Sequence, residues 1–345
     1  MLKAILHQFH TQAQPYDYEL RPSDETLAIL SFEEIAQPHV MEGPPSLPPF
    51  LRCSADDVDD DVSLSSDASA RTSESSAEFI NLACEEDDTK TLQCYFTGCT
   101  YVNTENILLT DWSNNVLRLT NQHGILCDSL PLEKSPWDIT SARDGQAVVT
   151  VPKLRKVLVV EVEPNLHIVS SFNTHGECFG VCKVRGGYVV TCDACSRTPS
   201  VHLYTDNGGV QWSLDVDDLG QRWFRCPLHV CTDYLQTMIY VSDSGANCVY
   251  SISLTGEILS TFKHKDLNYP TGVIFDRHNY LYVCSKKTSM LLKFNKDGSK
   301  EATVMRESDS VCSPCAVCRH PDGDHFIVTD LSVNHTAGYW KLNIG

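Results

Sequence analysis

Residues 238–259 read MIYVSDSGANCVYSISLTGEIL. MIYVSD and CVYSISL are short runs rich in β-branched and aromatic residues, a polar loop separates them, and LTG turns the chain into EIL, so three strands follow one another. The same arrangement recurs at NILLTDW (106–112), QAVVTVP (146–152), GYVVTCD (187–193), YLYVCSK (280–286) and HFIVTDL (325–331). Each copy has a further strand before it, in FTGCTY, PWDIT, CFGVC, PLHVC, PTGVI and PCAVC. These first strands begin at Phe96, Pro136, Cys178, Pro227, Pro270 and Pro314, giving spacings of 40, 42, 49, 43 and 44 residues. Four short strands repeated every ~40 to 50 residues make a β-propeller blade. Six copies predict an all-β, six-bladed β-propeller.

The sixth copy ends at Gly345 after its third strand, which leaves one blade with an open edge. AEFINLAC (77–84) stands before the first copy as GEILSTFK (256–263) stands before PTGVI, and the two align without a gap. Residues 79–84 are therefore expected to supply the outer strand of the last blade and close the ring. The expected organisation is a linker-helix region over 1–40, an acidic Pro/Ser-rich linker over 41–77, and the propeller over 78–345.

The pattern YVSD-x-x-x-N-x-V-x-x-x-x-x-x-G at 240–256, with LLTDWSNNVLRL at 108–119, resembles NHL repeats. FTGCTYVNTENILLTDW is similar to the opening of the six-bladed propellers of invertebrate TRIM-NHL-type (tripartite motif) proteins, and YDYELRPSDETLAIL (16–30) resembles the segment that leads into them. The likeness covers 78–345 and implies a propeller that selects targets in a ubiquitination setting, or one that binds RNA in post-transcriptional regulation. A RING or B-box needs clustered Cys and His zinc ligands, and the first cysteine is Cys53. The expectation is a propeller without that module. Of the strand-end positions, Asp111, Asp243 and Asp330 keep the aspartate, while Val151, Cys192 and Ser285 replace it.

The formal charge of −18 is uneven. Residues 1–93 hold 19 acidic and 5 basic side chains, net −14, leaving −4 for the rest. Segment 41–77, with its prolines, acidic run and serines, cannot bury enough apolar surface to offset ordering entropy and is expected to be disordered. Before it, SDETLAILSFEEI (23–35) reads as one short helix with Ser23 as N-cap. No run is apolar and long enough for a membrane span or a signal peptide, so a cytoplasmic protein is expected. The 16 cysteines sit mostly in apolar strands and are expected to be reduced, buried thiols.

Three features of the sequence bear on chemistry. Cys192-x-x-Cys195 and Cys312-x-x-Cys315-x-x-Cys318 have metal-like spacing, but Cys318 shares its repeat position with Cys182 and Cys231, a packing position, and strand alternation sends Cys315 and Cys318 to opposite faces. Among the inner strands only Asp138 and His229 offer polar ligands, too few for calcium or catalytic zinc. No nucleophile elbow or phosphate loop appears. The expectation is no catalytic residue, no metal, no cofactor and no enzyme.

Loops joining the second and third strands of each blade, and those leading to the next blade, share one face. They carry Trp112, Arg155, Lys156, Arg197, Trp223, Arg225, Lys265, Tyr269, Lys286 and Lys287. Cations beside aromatics suit a protein hot spot or single-stranded RNA. Rim acids, among them Asp215, Asp217 and Asp266, favour a protein ligand. The acidic run Asp56, Asp57, Asp59, Asp60 and Asp61, tethered by about 17 residues, is expected to reach this face and compete with an acidic partner.

Overall fold

The computed structural model describes residues 77–82, 93–143, 145–323, 325–331 and 338–343. Expectations for the acidic linker, the short helix at 23–35 and the run at 56–61 lie outside them.

A single strand, β1 (Ala77–Asn81), precedes the first blade. Blade 1 contains β2 (Phe96–Tyr101), β3 (Asn106–Asp111), β4 (Val116–Asn121) and β5 (Leu126–Pro131). Blade 2 follows with β6 (Ile139–Arg143), β7 (Gln146–Val151), β8 (Lys156–Glu161) and β9 (His167–Asn173). Blade 3 has β10 (Cys178–Val184), β11 (Gly187–Cys192), β12 (Ser200–Thr205) and β13 (Val210–Leu214). Blade 4 has β14 (Pro227–Thr232), β15 (Met238–Asp243), β16 (Cys248–Ser253) and β17 (Ile258–Phe262). Blade 5 has β18 (Pro270–Phe275), β19 (Leu281–Ser285), β20 (Met290–Phe294) and β21 (Lys300–Met305). Blade 6 has β22 (Pro314–Arg319), β23 (His325–Asp330) and β24 (Gly338–Asn343), and β1 is its fourth strand.

The six four-stranded antiparallel sheets confirm the all-β, six-bladed propeller. Ring closure is as expected in kind and shifted in register: the outer strand is Ala77–Asn81 rather than 79–84, with Ala77 opposite Leu342 and Asn81 opposite Gly338. Phe79 packs its ring on Trp340 at 5.0 Å, which fixes this register by an aromatic contact.

The Thr-Asp or Ser-Asp that ends the second strand of blades 1, 4 and 6, and the threonine kept there in blades 2 and 3, have a physical reason. The inner strands are irregular near their start, with register shifts at Phe96/Gly98, Cys178/Val181, Pro227/His229 and Pro314/Val317. Amides freed there need acceptors. The Thr191 hydroxyl accepts from Gly180 N at 2.8 Å, Thr150 from Asp138 N at 3.0 Å and Thr329 from Ala316 N at 3.0 Å. The aspartate then ties the connection between blades. Asp243 accepts from Arg225 N at 2.7 Å and Cys226 N at 2.8 Å, and Asp330 accepts from Cys312 N and Ser313 N. In two of the three blades that lack the aspartate another side chain takes its role: Asp193, one residue on, accepts from Glu177 N at 3.0 Å, and Ser285 Oγ, at the position itself, from Asn268 N at 2.9 Å.

Apolar residues fill the gaps between blades. One such cluster joins blades 4 and 5 through Tyr240, Phe262, Phe275 and Phe294, and another joins blades 5 and 6 through Tyr282, Phe326, Val328 and Trp340. A separate cluster of Trp112, Trp137, Phe179, Leu228, Cys315 and Leu331 lies at the axis.

Candidate functional site

The channel is closed on the side of the interblade loops. Trp137 is fully buried there and meets Trp112 and Phe179 edge-on, with ring centroids 5.3 and 5.4 Å away. Trp112, expected on the rim, is a member of this plug and is buried. Its position beyond the strand-end Asp111 turns the indole inward, where apolar area is removed from water.

Beneath the plug lies a small cavity of about 80 Å³, lined by inner-strand residues that include Asp138, His229, Cys231 and Cys318. Asp138 on blade 2 and His229 on blade 4 reach each other across blade 3, where Gly180 leaves no room for a side chain: a Cβ there would lie 2.7 Å from His229 Cα. His229 Nδ1 stands 3.6 Å from Asp138 Oδ2, which also accepts from Val181 N at 3.0 Å. Burial opposes charge on the imidazole, but the Asp138 carboxylate and then Cys315 outweigh it, pushing the His229 pKa up to about 10. Nε2 of His229 is buried with no hydrogen-bond partner.

Over blades 4 and 5 the loop face carries an open groove of about 400 Å³ lined by Asn247, Lys263, His264, Lys265, Leu267 and Asn268. Asn247 adopts the left-handed conformation, φ 51°, at the turn position that Asn115, Arg155 and Ser289 occupy in other blades. Asparagine takes this conformation readily, and here its Oδ1 accepts from Tyr269 N at 2.8 Å, joining one side of the groove to the other. Lys300 and His264 both approach Asp266, at 2.5 and 3.7 Å, so the one acid in this connection is already engaged. Its carboxyl lies below the ordinary range: burial pulls the other way, and the bond from Lys300 wins. Among the described residues no ion pair involves Lys263 or Lys265, and both are exposed.

Of the residues expected to form a partner site, Arg225, Lys265, Tyr269, Lys286 and Lys287 come together here. Arg225 packs beside Gly245, Lys286 N and Lys287 N donate to Tyr269 O and Asn268 O, and the Lys286 ammonium stands 5.8 Å from the Tyr269 ring. Lys286 is buried, which corrects its expected place on the exposed rim. The strand-end turn carries it inward over the aromatic ring. Arg155 and Lys156 belong to blade 2 and Arg197 to blade 3, and Trp223 is half-buried against the core between blades 3 and 4. Lys263 and Asn268 were not among the expected residues. The contiguous Lys263-His264-Lys265 was the available signal, hidden because β17 ends at Phe262, one residue before the expected strand end.

Cys195, on the loop after β11, is joined by a disulfide to Cys226, just before β14. The expectation of reduced thiols throughout is corrected at this pair, which lies where two interblade segments meet. Ten of the free described cysteines are buried. Cys315 belongs to the axial plug and Cys318 to the cluster between blades 6 and 1, as strand alternation required. Among the described residues no three His, Cys, Asp or Glu side chains form a metal-binding group, and no helix is long and apolar enough to cross a membrane.

No family model matches the chain, and no curated protein does. Solved structures match it in fold. Virginiamycin B lyase from Staphylococcus aureus is similar with a TM-score of 0.56 at 13% identity, over 79% of this chain and 100% of that one. A streptogramin B lyase gives 0.57 at 10% identity, over 79% and 98%. A protein of unknown function from Bacteroides thetaiotaomicron gives 0.60 at 12% identity, over 78% and 76%. At such identities the likeness is one of fold, a β-propeller. It nevertheless corrects the expectation that the chain is not an enzyme: two of these propellers are lyases, so the absence of a linear motif does not separate a binding propeller from a catalytic one. On this scaffold, polar groups from different blades can meet in the channel, as Asp138 and His229 do, and leave no local signature in the sequence.

Proposed function

We propose that the loop face over blades 4 and 5 recognises an acidic segment of a partner protein. The observation that carries this reading is the open groove in which Lys263 and Lys265 are exposed outside any described ion pair while Asp266 is held by Lys300. Arg225 and Lys287 extend the positive surface, and Asn247 and Asn268 supply neutral polar groups beside it. A rigid sheet framework positions these cations before a partner arrives, which lowers the ordering cost of binding. The likeness of 240–256 to NHL repeats supports the same role, because it implies a target-selecting propeller related to ubiquitination.

The test is fluorescence anisotropy with the full chain, a labelled Asp/Glu-rich peptide and a labelled single-stranded oligouridine. The peptide is expected to bind, and Lys263→Glu with Lys265→Glu to weaken it by about tenfold through like-charge repulsion. Tight oligouridine binding that falls steeply with salt, with no peptide binding, would overturn the reading in favour of RNA.

A further inference from the structure

A second feature of the loop face stands in the connection before the groove. Twelve residues (215–226) link β13 to β14, against seven (263–269) between β17 and β18 and four (174–177) between β9 and β10. The extra length folds back on itself as a small hairpin. Val216 and Arg222 pair as an antiparallel bridge, and Asp217 N donates to Gln221 O at 2.8 Å. The Asp217 carboxylate holds the turn, accepting from Leu219 N at 2.9 Å and Gln221 N at 2.7 Å. Gly220 supplies the left-handed residue the turn requires, φ 75°. At the base, the Cys195–Cys226 disulfide ties the end of the connection to blade 3.

The hairpin holds out an apolar tip between acids. Leu219 is 85% exposed, more than any other large hydrophobic among the described residues, and Val216 is exposed below it. Asp215 and Asp218 are exposed beside them, and among the described residues no ion pair engages either. A surface that matches this tip is apolar at its centre and cationic at its rim. The groove over blades 4 and 5 has that composition, with Lys263 and Lys265 as cations and with Ala246, Leu267 and the lysine stems as apolar lining.

Hairpin and groove belong to successive connections, blade 3 to 4 and blade 4 to 5, so they lie side by side on one face. A two-fold axis between two opposed loop faces, bisecting the line from hairpin to groove, lays each hairpin over the groove of the other copy. A surface that is complementary to itself in this way is what a two-fold interface requires.

We propose that the hairpin 215–222 of one copy seats Leu219 and Asp218 in the groove of a second copy, and the reverse, giving a face-to-face homodimer. The inference rests on the groove being an acid-binding surface and names its acidic partner as this chain's own hairpin. Two small reciprocal contacts make a weak, reversible dimer. The net charge of −18 repels two copies at long range, so a salt series mixes two effects and exchange of charges between the two sites isolates the contact.

Sedimentation velocity of the full chain from about 1 to 300 μM, the range of weak association, tests it. Expected is a concentration-dependent dimer, weakened by about tenfold in Asp218→Lys and in Lys263→Glu with Lys265→Glu, and by a similar factor of about ten in Leu219→Ser. An equimolar mixture of the Asp218→Lys chain and the lysine-reversed chain is expected to recover the dimer, because one native contact and one contact with both charges exchanged then form. A wild-type chain that stays monomeric, a dimer indifferent to any of these changes, or a mixture that fails to recover would each overturn the proposal. Anisotropy with the labelled Asp/Glu-rich peptide on the same samples separates the two claims. Peptide bound by a monomeric wild-type chain removes the dimer alone, whereas no binding to the Asp218→Lys chain, whose groove is free, removes the acid-binding surface with it.

Discussion

The two ends of the channel are built from the same six strands and have opposite character. On the loop side, inner-strand side chains meet as an aromatic plug, and the cations lie outward on connections between blades. On the other side the channel stays hollow, an Asp138–His229 pair forms its floor, and Arg319 stands at its mouth. The difference arises one residue along the inner strands. Trp137, Phe179 and Leu228 point into the plug, and their successors Asp138, Gly180 and His229 form the next layer. A propeller therefore separates a packing end from a polar end without changing its fold, and the polar end costs stability unless its charges are matched.

Breaking the plug should have the largest effect. Trp137→Ala removes a fully buried indole from contact with two aromatic neighbours, and is expected to destabilise the chain by ~3–5 kcal/mol in urea unfolding. A loss below ~1 kcal/mol would show that the axial layer is not a packing unit.

Breaking the floor comes next. Asp138→Asn leaves a buried imidazole without its anion and should cost ~3 kcal/mol near neutral pH. The sign of the pH dependence follows from the raised His229 pKa. Stability contributed by the pair is fully present below the ordinary value near 6.5 and is lost as pH rises through about 10. His202 on blade 3 has the reverse behaviour: burial, helped by His175, draws its pKa down to about 4, so its contribution is present above 6.5 and lost as pH falls through about 4. Urea midpoints across this range should therefore fall at both ends, and Asp138→Asn should remove only the alkaline part. An alkaline limb that persists in the variant would assign it to another group.

Much of this was legible in the chain because strands announce themselves locally. The six repeats, the missing outer strand and even the Thr-Asp ends follow from residues a few places apart. Side-chain direction at the loops was not legible. Trp112 and Lys286 each follow a strand end and look like rim residues, yet both turn inward, one into the plug and one over Tyr269. Nothing in their immediate sequence distinguishes them from Lys287, which points out. Arg319 and Tyr234 are 85 residues apart and meet only because blades 4 and 6 flank blade 5 around the channel. The disulfide between Cys195 and Cys226 likewise depends on where blade 3 hands over to blade 4. Contacts set by ring closure leave no periodic trace.

The smallest expected effect is on the loop face, and it sharpens the contrast with the channel. Lys263 and Lys265 are exposed and join no described ion pair, so reversing both charges breaks no described ion pair. The main cost is repulsion from Asp266, whose carboxylate keeps its bond to Lys300. Through solvent such repulsion is weak and screened by salt, so Lys263→Glu with Lys265→Glu should shift unfolding free energy by less than about 0.5 kcal/mol, and less still at high ionic strength. The check is a pair of urea titrations at low and high salt beside the peptide-binding measurement on the same variant. Binding lost while stability holds would mark these lysines as surface kept for a ligand. A stability loss above ~1 kcal/mol would make them part of the framework, because surface changes without a structural role seldom reach that size.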